Sequence, residues 1–258
     1  MLGATENLAV FALSVALGVG VLLLLRRARH PRPEAGPDDA VGWHIGLVGT
    51  AYAVISAFML SGVWTNFRTA EANASAEATD LVNLFRLAEG LPAPQRRQLQ
   101  ALCRTYASVA IEQEWPAMQG DSLSPPGFSV TQQLWATLMR ADVHSPLEQT
   151  SLAAALGTLG SMTEHRRIRQ LQSHSRLPTI LWVVLIAGGL STVGAACTYE
   201  VRSARLHTFQ VVTLSSLIGL VLLAVADIDR PFQGAVHVPP DGFAFARATF
   251  DQLAPAPR

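Results

Sequence analysis

Glu112 and Glu114, followed by Trp115 and Pro116, are the residues whose types most invite chemistry. Two carboxylates this close can share a proton or ligate a cation. On a helix, residues two apart point to different faces, so the pair cannot converge alone. Each carboxylate is therefore expected in solvent or against an arginine. The histidines, His30, His44, His144, His165, His174, His207 and His237, form no metal motif such as H-E-x-x-H. No serine nucleophile elbow, phosphate loop or dinucleotide fingerprint is present in the sequence either. Cys103 and Cys197 are too few for a disulfide framework and lack the spacing of a zinc site. The expectation is a protein without enzymatic activity, metal or cofactor.

Arg166, Arg167, Arg169 and Arg176 are the densest basic cluster. They suit a solvated face touching lipid headgroups, or an electropositive vestibule that concentrates small anions. The chain as a whole carries 19 basic and 19 acidic residues. That balance excludes the electrostatic footprint of a nucleic-acid binder. Every basic residue is arginine, which reflects a GC-rich genome more simply than a need for bidentate donors.

These groups must be positioned by helices in two environments. With 50% hydrophobic and 15% charged residues, the chain is too apolar for an ordinary soluble domain and too charged to lie wholly in a membrane. Leu8 to Leu25 is uncharged and nearly all apolar, ~27 Å as a helix, enough to span a bilayer core. A cleaved signal peptide would need a positive start, whereas Arg26, Arg27 and Arg29 follow this run. Val41 to Val63 is a second run, flanked by Trp43 and Trp64 at headgroup level. A third opens after Pro178 and continues through Trp182 to Cys197, and a fourth runs from Phe209 to Ala226. Turn-rich His30 to Pro37 joins the first two, and polar Thr198 to Thr208, with Arg202 and Arg205, joins the last two. The predicted fold is all-α and polytopic, with four transmembrane helices in two hairpins. Its segments are 1–64 (first hairpin), 65–177 (helical aqueous domain), 178–226 (second hairpin) and 227–258 (polar tail).

Within the second run, Gly42, Gly46, Thr50, Ala53, Ala57 and Ser61 form a stripe of small residues, echoed by Ala187, Ser191 and Ala195 in the third. Such stripes let helices pack closely in lipid or line a narrow pore. None of the four runs holds a mid-span Asp, Glu, Lys or Arg, which argues against an ion-coupled pump. In the aqueous domain the second run continues as helix to Gly90 and Pro92. A further helix starts near Pro94 and ends around Trp115 and Pro116. Ser129 and Gln132 offer a capping box after the Gly120 to Phe128 linker. Ser145, Pro146 and Glu148 are the best helix start in the chain, opening a helix that can run to Leu177.

At the end of the fourth run stand Asp229, Arg230, Pro231, Phe232, Gln233 and Gly234. This "D-R-P-F-x-G" segment resembles the closing signature of the bestrophin-like domain family. The Arg and Pro connector after the first span, the Arg run, Pro178 with Trp182, and the Glu114, Trp115, Pro116 group are also similar to that family. The resemblance covers nearly the whole chain and is most specific at the second hairpin. The connector departs from the family in having one His where a pair is common. Bestrophins are pentameric anion channels with the same layout, so the resemblance implies a homo-oligomer in the lipid bilayer of a bacterial plasma membrane, permeable to small anions. No acidic cluster resembles a bestrophin calcium clasp, so the resemblance does not carry calcium gating over to this chain. The competing reading is a membrane-anchored helical module that binds or senses a partner without transport. Asp229 and Arg230 are expected to fix the tail against the fourth span by hydrogen bonds. The positive-inside rule puts the Arg26 to Arg32 connector in the cytoplasm and the helical domain outside. The domain's own arginines and the bestrophin layout point the other way.

Overall fold

A computed structural model describes residues 12, 16, 18–24, 27, 39–120, 126–198 and 203–253. Among these residues the regular elements are all helical. Helix α1 is Asp39–Leu87, followed by a 3-10 turn at Ala88–Gly90. Then come α2 (Ala93–Val109), a π-helical turn (Ala110–Glu114), α3 (Trp115–Gln119), α4 (Pro126–Met139), α5 (Pro146–His174), α6 (Thr179–Thr198), α7 (Ala204–Ile228) and α8 (Asp241–Leu253). Most of the expected first span, its connector and residues 199–202 of the second polar turn lie outside the described residues. Residues 18–24 of that span are helical.

The chain divides into two compact units, one of residues 1–66 and 176–229, the other of 67–175 and 230–258. In the first unit, Leu22, Tyr52, Val193, Cys197, Val211 and Ile218 form one apolar cluster, and Val63, Leu185 and Val225 a second. The Tyr52 ring lies on Gly188, where a Cβ would come within 2.8 Å of its edge, so glycine is what allows α1 and α6 to approach. Among the described residues, α1, α6 and α7 are long and apolar enough to cross a membrane. Only 11% of the most apolar window of α1 is buried within the chain. A surface that apolar must be covered by lipid or by another protein surface.

The second unit gathers the amphipathic part of α1 with α2 to α5 and α8. Its core includes Leu81, Leu84, Phe85, Leu99, Leu134, Leu159, Phe243 and Phe250, all at most 2% exposed. Ser145 caps α5 as its sequence predicts: its side chain accepts from the Glu148 amide at 3.2 Å, and Glu148 accepts from the Ser145 amide at 2.9 Å.

Three local expectations differ. Helix α4 starts at Pro126, whose fixed φ suits a first helical turn, so Ser129 lies inside the helix rather than capping it. Helix α7 starts at Ala204, five residues before Phe209, because Ser203 caps it by accepting from the Leu206 amide at 3.4 Å. The segment read as a polar tail carries α8, which buries Phe243, Ala246 and Phe250 along one face.

Candidate functional site

Two helical arginines a turn apart organise the interior of the second unit. Arg166 and Arg169 fall in phase with Ala155, Leu159 and Met162 on the buried stripe of α5, so both guanidiniums enter the core. A charge there is tolerated only when paired and hydrogen-bonded. Arg169, with no exposed surface, grips Glu77 of α1 through two parallel bonds, Nε to Oε2 at 2.7 Å and Nη2 to Oε1 at 2.8 Å. Its Nη2 also donates to Glu114 Oε2 at 2.6 Å. Arg166 donates to Glu114 Oε1 from Nη2 at 2.6 Å and from Nε at 3.2 Å. The Tyr106 hydroxyl donates to Glu77 Oε1 at 2.6 Å. Two cations thus meet two anions, with Glu114 shared between both arginines and Arg169 between both carboxylates, the arrangement that lets charges survive away from water.

Burial by itself pushes the Glu114 carboxyl up, but the Arg169 and Arg166 guanidiniums beside it prevail and hold it below the usual carboxylate range. Burial and then the Glu77 charge push the Tyr106 phenol well above its usual value, so it remains a donor. The paired-carboxylate chemistry raised by Glu112 and Glu114 is not assembled. Glu114 is buried in the network, while Glu112 is exposed and lies 3.7 Å from Arg247. Glu114 reaches the arginines from the π-helical turn, whose extra residue re-aims it and the following Trp115.

Trp115 closes the network on one side. Arg169 sits 4.8 Å over its ring, Phe232 and Phe243 pack edge-on at 5.8 and 5.4 Å, and its indole N–H donates to the Val238 carbonyl at 3.0 Å. Gly127 closes another: a Cβ there would lie 1.8 Å from Glu114 Oε1 and 2.9 Å from Arg166 Nη2. Gly127→Ala is therefore expected to destabilise the protein by about 1–3 kcal/mol, measurable as a lower melting temperature of the detergent-solubilised chain.

The closing signature has separable parts. The Asp229 carboxylate accepts from the Leu177 amide, 3.0 Å to Oδ1 and 3.2 Å to Oδ2, immediately before Pro178 and α6. This ties the end of α7 to the start of α6 within the first unit. Asp229→Ala should cost about 1.5–3 kcal/mol, the worth of a hydrogen bond to a charged group, read in the same melting experiment. Arg230 is exposed, and its guanidinium makes none of the described hydrogen bonds. Pro231, Phe232 and Gln233 are buried, with Gln233 Nε2 donating to the Met118 carbonyl at 2.9 Å. Gly234 adopts φ 86°, a conformation that explains why the motif ends in glycine. Trp182 packs beside the Val63, Leu185 and Val225 cluster, and Pro178 lies at the surface just before α6.

The other expected site residues lie elsewhere. Arg167 is exposed and paired with Glu164 at 2.5 Å, and Arg176 is partly buried in the first unit. On α1, Gly46, Thr50, Ala53, Ala57 and Ser61 are exposed and Gly42 is partly buried. Trp43 and Phe58 are also exposed on this helix, at 74% and 73%. Glu77 and Tyr106 are the network members that sequence reasoning did not single out.

The Bestrophin-like domain family model matches residues 12–243. Among solved structures, the chain is similar to a variant of a bacterial bestrophin homolog from Klebsiella pneumoniae. That match has TM-score 0.69 and 13% identity and covers 96% of this chain and 99% of that one. A second variant of the same homolog matches with TM-score 0.68 and 13% identity over 97% and 100% of the two chains. A structure described as a membrane protein matches with TM-score 0.65 and 14% identity over 93% and 94%. No curated protein matches.

Proposed function

Because the chain belongs to the bestrophin-like domain family of membrane proteins, we propose that it forms a homo-oligomeric channel in the bacterial plasma membrane, with α1 lining an axial pore for small anions. The observation that carries this reading is the uncovered side of α1. Gly46, Thr50, Ala53, Ala57 and Ser61 lie along it, with small side chains and two hydroxyls and no charge. A helix so apolar and so little covered by its own chain needs neighbours, and small residues suit both close packing and a narrow passage. The preference for anions rests on the likeness to bestrophins. Arg166 and Arg169 are assigned here to holding the aqueous domain together, since each is spent on buried carboxylates. Arg167, exposed and paired with Glu164, is the member of the expected anion vestibule left at the surface of the second unit.

Purified protein in liposomes, assayed with a halide-sensitive dye, should pass halide. Ala57→Trp should reduce that flux severalfold without altering the oligomer seen by size-exclusion chromatography. A stable oligomer that passes no ion would overturn the channel reading and favour the partner-binding module.

A further inference from the structure

His207 lies in the first turn of α7 and is only 8% exposed. Its Nε2 stands 3.1 Å from the Ala196 carbonyl near the end of α6. A carbonyl can only accept, so Nε2 carries the proton, and the uncharged ring then offers the lone pair of Nδ1 as an acceptor. Among the described hydrogen bonds, none reaches that nitrogen. The bond to Ala196 thus fixes the tautomer and leaves one buried acceptor open, a state that costs free energy in an apolar setting unless a donor arrives.

The same ring lines a cavity of about 330 Å³, walled by Ile45 of α1, Ala196 of α6, and Gln210, Val211 and Leu214 of α7. That is the lower end of the range for small-molecule sites and far more than one water takes. Gln210 follows His207 by one turn, and its side-chain amide, which can both donate and accept, enters none of the described hydrogen bonds. The other walls are apolar. No described lining residue is Asp, Glu or Arg, so a charged guest would sit in apolar surroundings without a counter-charge. Gly42 also borders the cavity, and the next residue, Trp43, is 74% exposed. A tryptophan at the start of an apolar run marks headgroup level, the depth at which amphiphiles place their polar ends.

We propose that this cavity is a binding site for an uncharged amphiphile that carries a hydroxyl. The guest's O–H donates to His207 Nδ1, its oxygen accepts from the Gln210 amide, and its hydrocarbon body lies against Ile45, Val211 and Leu214. A free medium-chain alcohol and the hydroxyl of a membrane glycerolipid offer the same chemistry.

Photolabelling of the full chain in phosphatidylcholine nanodiscs tests this, with azioctanol, an alcohol bearing a photoreactive diazirine, as the probe and peptide mass spectrometry as the readout. Adducts should concentrate at Ile45 and between His207 and Leu214. Excess octanol should suppress them severalfold, whereas heptyl methyl ether, of the same length but without an O–H donor, should not. His207→Phe keeps a ring and removes the acceptor, so it should cut labelling severalfold. Leu214→Trp, at a partly buried wall position, fills the cavity and should do the same while leaving His207 and its bond to Ala196 in place. Equal suppression by the ether, labelling unmoved by Leu214→Trp, or adducts spread evenly over outward-facing Phe209, Leu217 and Leu220 would overturn the site. Suppression by dioleoylglycerol in the nanodisc would support it with a membrane lipid as the source, and suppression by octanol alone would support it with a free alcohol. Suppression by chloride would overturn an uncharged guest in favour of an anion.

Discussion

Arg169→Met should cost about 3–5 kcal/mol of stability, the penalty for stripping one partner from a buried ion pair. The substitution keeps an unbranched side chain of comparable reach, so the loss is electrostatic rather than a collapsed cavity. Glu77 would keep only the Tyr106 hydroxyl at 2.6 Å, and Glu114 only Arg166. Arg169→Lys should rescue little, because one ammonium cannot reproduce the parallel grip on Glu77 and the bond to Glu114 together. Tryptophan-fluorescence melting of the solubilised protein measures both variants, and an unchanged melting temperature would show that these charges are not buried as described. The network also predicts acid lability. The Glu114 carboxyl is depressed in the folded chain from its ordinary value of 4.5. Its contribution is therefore complete above that ordinary value and is lost as pH falls through the lower folded one. Removing Arg166 weakens the depression and should move acid unfolding to higher pH.

The second large effect is expected at Trp115. Trp115→Ala removes a 2%-exposed ring that contacts Arg169, Phe232 and Phe243, and large-to-small changes of this kind cost about 3–5 kcal/mol. The lost indole bond to the Val238 carbonyl also frees the segment between Phe232 and α8. Limited proteolysis should then cut after residue 238 much faster than in the parent chain. Trp115→Phe keeps a ring over Arg169 and loses the donor, so it should cost only about 1 kcal/mol. Equal losses for Ala and Phe would show that the indole hydrogen bond, not the ring, carries the effect.

The apolar runs were legible in the sequence because each is long and uncharged, and α1, α6 and α7 contain three of them. The capping box at Ser145 was legible for a different reason, since its donors and acceptors lie within four residues. The network was not, because Glu77 and Arg169 are 92 residues apart and no local pattern pairs them. A signal did exist: Glu77 is in phase with Ala70, Ala74, Leu81 and Leu84 on the buried stripe of α1. Arg166 and Arg169 are likewise in phase with Leu159 and Met162 on α5. Charges in step with a core-facing stripe mark buried partners more specifically than their density does. Reading the arginines as a cluster led instead to a solvated face or a vestibule. Helix α8 escaped notice because thirteen residues give a short stripe, and Asp241, Arg247 and Asp251 interrupt its apolar character. The closing signature was recognised before its physics was known. Its glycine answers to the backbone at φ 86°, Asp229 to an amide at Leu177, and Arg230 to the Gln233 amide through its carbonyl at 2.9 Å, its guanidinium making none of the described hydrogen bonds.

The π-helical turn at Ala110–Glu114 sets a rule about where chain length can change. It fits one residue more into a turn than an α-helix does, so deleting one residue inside it would restore an ordinary ladder and leave the downstream phase nearly unchanged. Deleting one residue in the α-helical stretch before it would instead swing everything downstream by roughly 100° about the axis. Glu114 would then leave Arg166 and Arg169, and Trp115 would turn away from Phe232 and Phe243.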